Sequence, residues 1–324
     1  MIDWISCWVS NVDIRHLRDR LNFKSEYYVK TGELKTSIGG YSVERAMWKG
    51  LKFEIHNKIE SSHYAKVKFS GSIHKFSNGV NFDNYYISQL KKSINDISSM
   101  IGVSPHIIEV HAVEFGVNIH TEMPPDLILD RFIFFKQKGF ERQTKFKGSN
   151  RGYIQRCTLS NYQLKAYNKG LQYNLNENIL RYEIKVTKMQ FFKNKISGIQ
   201  YLNDLLDNKI LSQLGGILQQ FWSYVVLKEE VFHFNPNLSA TQKDILSNST
   251  SDDYWKRKQR EYKPYKFNRL IKQYQNTIKE SDATNYHEQI RNKIQTKWHQ
   301  LSYNVNYLPI PEISAVNYLP LCMV

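Results

Sequence analysis

Between Ile107 and Ile119 the chain alternates with a period of two. Val113, Phe115, Val117 and Ile119 fall on one side, and Ala112, Glu114, Gly116, Asn118 and His120 on the other. A period of two is the signature of a β-strand, because successive side chains point to opposite faces of a sheet. One side is a core face. The other carries a carboxylate, an amide and an imidazole around a glycine that leaves room for an ion or a backbone to approach. Pro124-Pro125 ends the strand.

Further strands follow from the same rule. Ile2 to Val9, Leu51 to Ile55 and Tyr64 to Phe69 precede it; Phe132 to Phe135, Tyr153 to Thr158, Gln163 to Asn168 and Ile179 to Thr187 come after. The period changes over 86 to 101, where Ile87, Leu90, Ile94, Ile97 and Ile101 recur at three and four, predicting an amphipathic helix that stops near Gly102. Helical spacing returns from about 197, with Ile199, Leu202, Leu205 and Leu206 in one stripe followed by Leu211 and Leu214, and Leu218, Phe221, Val225 and Val226 in another after Gly215-Gly216. The expected class is α+β: a central antiparallel sheet with packed helices. A Pro236 loop and the Asn/Ser-rich 247 to 251 run place a boundary near 235. The expected domains are therefore 1–235 and a basic helical extension with an extended tail over 236–324.

Charge narrows the partners. Lys plus Arg number 45 against 30 Asp plus Glu, a net +15, which favours a polyanionic partner, either nucleic acid or an anionic membrane surface. The extension concentrates this excess in Lys256, Arg257, Lys258, Arg260, Lys263, Lys266, Arg269 and Lys272, with Glu261 the one acid among them. The plain reading is a solvated basic appendage, and the sharper one a DNA-backbone surface. Lys147 and Arg151, in a basic loop over Lys145 to Arg151, are further candidate DNA contacts. The 21 tyrosines suit stacking on bases and equally suit an AT-rich genome. Cys7, Cys157 and Cys322 form no paired motif, which points to a reducing, cytoplasmic setting. No window approaches the roughly 18 apolar residues of a membrane span, so no membrane partner is expected.

Three segments carry candidate chemistry. Glu114, with Asn118 and His120, offers oxygen and nitrogen ligands suited to Mg²⁺ or Mn²⁺; the plain alternative is an ordinary half-buried polar face. In Tyr167-Asn168-Lys169-Gly170 the phenol would attack a phosphodiester and hold the 5′ end, with Lys169 steadying the phosphate charge. The plain alternative is a structural tyrosine. In Leu180 to Val186, Arg181, Glu183 and Lys185 share a face opposite Tyr182, Ile184 and Val186. Glu183 would be a second metal carboxylate, from a strand not adjacent to that of Glu114, with Arg181 or Lys185 gripping phosphate. An ion ladder between strands is the plain alternative. There is no His-x-His pair for zinc and no Gly-x-x-x-x-Gly-Lys-Ser/Thr loop for a nucleotide triphosphate.

Taken in order, Met1-Ile2-Asp3-Trp4, Gly71-Ser72-Ile73-His74-Lys75, Val113 to Ile119, Lys165 to Gly170 and Leu180 to Ile184 resemble the replication initiators of filamentous phages, the gene II protein type, and their plasmid and mobile-element relatives. The Glu-Phe-Gly-Val-Asn-Ile version is most similar to proteins of Bacteroidetes mobile elements. The resemblance implies a fold related to rolling-circle nicking enzymes. It also implies rolling-circle initiation, in which a tyrosine nicks origin DNA, single-stranded or locally melted, with a divalent metal, and later rejoins it. Host helicase and polymerase are the implied partners. Residue by residue it points to Glu114 and Glu183 for metal, with His120 or Asn118 as helpers, and to Tyr167 and Lys169 in a Tyr-x-Lys element. Tyr162 is a second candidate nucleophile, although one unbroken strand would turn it away from Tyr167. The absence of a histidine pair departs from the wider nicking-enzyme pattern. The rivals are a non-catalytic DNA-binding replication regulator and an RNA-binding or structural protein.

Overall fold

The computed structural model describes residues 1–25, 41–58, 64–144, 152–193, 198–233 and 235–303. Lys147, Arg151, Cys322 and the tail beyond 303 lie outside them.

The chain begins β1 (Ile2–Asp13), α1 (Ile14–Arg20), β2 (Lys24–Ser25), β3 (Tyr41–Trp48), β4 (Leu51–Lys58) and β5 (Tyr64–Ser72). It continues α2 (Ile73–Asn78), α3 (Ile87–Ile101), β6 (Glu109–His120), α4 (Pro125–Leu129), β7 (Phe132–Phe135), β8 (Lys138–Gly139) and β9 (Glu141–Thr144). Next are β10 (Tyr153–Thr158), β11 (Tyr162–Asn168), α5 (Lys169–Tyr173), β12 (Ile179–Val186), α6 (Gln190–Lys193) and, after a 3-10 turn (Leu202–Leu206), α7 (Asn208–Ser223). The last part is β13 (Val225–Leu227), β14 (Val231–His233), α8 (Ala240–Asn248), α9 (Asp252–Glu261), α10 (Pro264–Lys279), β15 (Asp282–Ala283) and α11 (Tyr286–Tyr303).

Among the described residues, ten strands form one sheet in the order β2-β3-β4-β5-β1-β6-β12-β11-β10-β9. The strand neighbours on either side of β6 and β12 pair antiparallel. The class is the expected mixed architecture, a large antiparallel sheet with helices. The apolar sides of β6 (Val113, Phe115, Val117), β12 (Tyr182, Ile184, Val186) and β11 (Leu164, Ala166) join α3, α7 and α11 in one core. The polar sides of the same strands are left to form a cleft.

Local signals fix several boundaries. α3 ends at Gly102, which takes the left-handed conformation (φ 79°) that terminates a helix without a Cβ penalty. β6 starts at Glu109 rather than 107, and Ile107 is exposed. Gly215-Gly216 does not interrupt α7. The Trp298 ring of α11 sits where a Cβ on Gly215 would go, so the glycine is a docking notch. Val225 and Val226, expected on the helix, instead pair with Phe135 and Phe134 as β13. β3 has no counterpart among the expected strands; it pairs along its whole length with β4.

The stretch from 236 divides between two cores. α8, α9 and α10 enclose a second core of Leu238, Ile245, Trp255, Phe267, Ile271 and Tyr274, which reaches Ile133 and Phe134. α11 returns to the sheet, placing Ile290, Ile294, Trp298 and Leu301 in the main core, with Trp298 edge-on to Phe115 at 6.1 Å. Amphipathic spacing identifies such a helix but does not say which core takes its apolar stripe. No helix among the described residues is long and apolar enough to cross a membrane. Cys7 and Cys157 are buried free thiols.

Candidate active site

The cleft is set by register. Across β6, β12, β11 and β10, Gly116, Glu183, Lys165 and Arg156 face one another in one row, and Asn118, Arg181, Tyr167 and Ile154 in the next. β6 and β12 are neighbours, contrary to the expectation that Glu114 and Glu183 come from non-adjacent strands. Glu183 lies directly opposite Gly116 and therefore diagonal to Glu114, within side-chain reach. The glycine makes the approach possible, since a Cβ at 116 would stand 2.6 Å from the Glu183 Cβ.

A third carboxylate joins them from β1. The β1–β6 register shifts between Ile2, opposite Phe115, and Trp4, opposite Glu114. Asp3 is the extra residue of this bulge, and a bulge re-aims a side chain that simple alternation would send elsewhere. Ligand oxygens of Asp3, Glu114 and Glu183 all lie within 4.8 Å of one another, and all three residues are buried. Three carboxylates form a hard, oxygen-only donor set of the kind that suits Mg²⁺ or Mn²⁺. They could hold such an ion.

Cations already lie among them. Lys165 Nζ donates to Glu114 Oε2 and to Glu183 Oε1, both at 2.6 Å. Arg181 donates from Nε to Glu183 Oε2 (2.8 Å), from Nη2 to Asp3 Oδ2 (3.1 Å) and from Nη1 to Asn118 Oδ1 (3.3 Å). Burial would raise Glu183, but Lys165 and Arg181 outweigh it and hold that carboxyl well below its usual range. For Glu114 the balance reverses. Burial and the Glu183 charge push it up to about 7, because Lys165 is shared between the two.

Tyr167 faces this group, its hydroxyl donating to Glu183 Oε2 at 3.5 Å. Burial and Glu183 raise its phenol well above the ordinary value. Lys169, the first residue of α5, lies 5.4 Å from the Tyr167 ring centre and donates to Asn81 Oδ1 at 2.9 Å. Burial and Arg181 bring Lys169 down to about 8. Asn81 donates to both oxygens of Asp3, and Ser72 donates to Asp3 Oδ1 at 2.5 Å. The cleft these residues line, with Trp4, Lys75 and Arg156, measures about 530 Å³.

Several expected site residues are placed differently. Tyr162 and Tyr167 lie on one unbroken strand and point to opposite faces. Tyr162 packs against Phe135, Phe191 and Phe221 in the core. Asn118 is not a free ligand: its amide donates to the carbonyls of Asn81 and Phe82, pinning the loop that carries Asn81. His120 is exposed at the strand end, 3.5 Å from Glu177, and is outside the carboxylate group because it is three positions of the same face beyond Glu114. Arg181 is 1% exposed and bound on three sides, so it is a buried counter-charge rather than an exposed phosphate grip. Lys185 lies 3.8 Å over the Trp4 ring at the cleft edge. Lys256, Arg257, Arg260 and Lys263 are exposed on and after α9, with Lys258 half-buried against Tyr254 and Tyr262.

Alternation missed Asp3, Asn81, Arg156 and the role of Lys165. Only the last had a direct signal, since Lys165 shares a strand face with Tyr167.

No family model matches the sequence, and no curated protein matches it. Among solved structures, the rolling circle replication initiator protein from Geobacillus stearothermophilus is similar over 77% of this chain and 96% of that chain, with 10% sequence identity and a TM-score of 0.39.

Proposed function

We propose that this chain is a replication initiator that nicks and rejoins one DNA strand through Tyr167. The observation that carries the reading is the meeting of Tyr167, Lys169 and three carboxylates in a single cleft with further basic residues at its wall. A phenol beside carboxylates and cations is the equipment of covalent phosphodiester transfer.

In the forward step the Tyr167 oxygen attacks phosphorus, the P–O3′ bond breaks, and the 5′ phosphate stays on the tyrosine. Glu183 Oε2 accepts the phenol's hydrogen bond and orients the hydroxyl, and the phenol proton leaves to water in the cleft. The departing O3′ takes a proton from water and becomes a free 3′-OH, so one proton is released and one is taken up. Lys169 and Arg156 face the charge that develops on the phosphoryl oxygens. Rejoining reverses these steps. What a Mg²⁺ or Mn²⁺ ion supplies when held by Asp3, Glu114 and Glu183 is polarisation of the scissile phosphate. Arg181 orients Glu183 and Asp3 from beneath. The basic face of α9 and the start of α10 holds flanking DNA by its phosphates.

One observation favours a second reading, a non-catalytic DNA-binding replication regulator: every carboxylate of the cleft is already paired with a cation. A denaturing gel separates the two. The protein is incubated with labelled single-stranded DNA from the origin of its own element, with and without Mg²⁺ or Mn²⁺. A metal-dependent, SDS-resistant adduct that Tyr167→Phe abolishes supports nicking. Tight binding without an adduct or cleavage selects the regulator.

A further inference from the structure

We propose that Lys165 is a tethered competitor for the divalent cation, occupying the two glutamates until an ion displaces it. This rests on the metal-assisted reading above. Lys165 and Arg181 are both paired with Glu183, but they are held differently. Arg181 is 1% exposed and tied to Asp3, Asn118 and Glu183 on three strands. Withdrawing it would strand a buried guanidinium, which is costly. Lys165 is 12% exposed, lines the cleft, and donates to Glu114 and Glu183 among the described residues. Its four-carbon stem lets the ammonium swing into the cleft, toward water or a DNA phosphate, without moving β11.

The oxygens make the competition direct. Asp3 Oδ1 accepts from Ser72 and Asn81, and Asp3 Oδ2 from Asn81 and Arg181. Glu183 Oε2 accepts from Arg181 and Tyr167. Glu183 Oε1 and Glu114 Oε2 are the pair that Lys165 bridges. Glu183 Oε1 is the Glu183 oxygen that Arg181 and Tyr167 leave to Lys165, so an ion held by both glutamates would compete with the Lys165 ammonium for the space between them. In the absence of metal, Lys165 keeps two buried like charges together. When metal arrives it is released on the side where the substrate lies.

The test is a titration of the full chain with MnCl₂ alone, without DNA, following loss of the free Mn²⁺ signal by electron paramagnetic resonance. Lys165→Met is expected to bind Mn²⁺ about tenfold tighter or more than the unsubstituted protein, because a competing charge has been removed. Adding Glu114→Gln to that variant is expected to abolish the gain. Lys165→Arg, which keeps the charge, is expected to bind no tighter than the unsubstituted protein. If Lys165→Met does not fold, Lys165→Gln carries the same expectation. Equal or weaker Mn²⁺ binding by the neutral variant, or no Mn²⁺ binding by either form, overturns the proposal. The Tyr167 adduct is read separately, so loss of nicking with the Mn²⁺ difference intact would sink only the reaction, and the converse only the competitor.

Discussion

Gly116 and Glu183 stand opposite each other across the β6–β12 ladder, so close that a Cβ on the glycine would fall 2.6 Å from that of the glutamate. Gly116→Ala is therefore expected to push Glu183 off its bonds with Lys165 and Arg181. The overpacking should cost about 1–3 kcal/mol, read as a lower urea midpoint at unchanged slope. An unchanged midpoint would mean that the two strands have slack here.

The two tyrosines of β11 should separate cleanly. Tyr167→Phe is expected to lose the covalent adduct while retaining the fold, since the ring stays in place and the 3.5 Å hydrogen bond to Glu183 that it gives up is long. Tyr162→Phe keeps the ring packed against Phe135, Phe191 and Phe221 and should leave the adduct intact. An adduct that survives in Tyr167→Phe and vanishes in Tyr162→Phe would reverse the assignment.

Glu114 predicts a pH signature. Burial and Glu183 raise its carboxyl from 4.5 to about 7 in the folded protein. The folded state then favours the protonated form. Its contribution to stability is complete below 4.5 and is lost as pH rises to about 7. Glu114→Gln cannot ionise and should escape that loss, gaining roughly 2–3 kcal/mol on the unsubstituted protein across the window. Denaturant melts of both proteins through this range check it; parallel curves would argue against a raised carboxyl.

Charge on α9 should act through phosphates rather than through the cleft. Replacing Lys256, Arg260 and Lys263 together by Glu is expected to weaken binding to duplex DNA. It should also flatten the dependence of log affinity on log salt by about 0.9 for each phosphate no longer neutralised. Fluorescence anisotropy over a salt series gives both quantities. An unaltered slope would place the DNA surface elsewhere.

Docking of α11 onto the main core predicts a large effect far along the chain. Trp298 fits the notch at Gly215, touches Phe115 edge-on and donates to the Leu211 carbonyl at 2.9 Å. Trp298→Ala should cost about 3–5 kcal/mol, measured by equilibrium unfolding. A small loss would mean that α11 is peripheral.

The local period of the chain determined β6, β11 and β12, and with them the shared polar face that carries Glu114, Lys165, Tyr167 and Glu183. It also determined α3 and its stop at Gly102, because helical spacing and a left-handed glycine are properties of consecutive residues. The same periodicity was enough to say that Tyr162 and Tyr167 diverge on an unbroken strand. Tertiary structure decided which strands are neighbours, so that Glu183 meets Glu114 across Gly116. It placed Asp3 through a bulge that violates the alternation, and brought Asn81 in on a loop held by Asn118. It also divided the helices after 236 between two cores, and gave the glutamates to Lys165. Alternation records which way a side chain faces within its own strand. Pairing order, bulges and the sharing of counter-charges depend on residues far apart in the chain, and no local period encodes them.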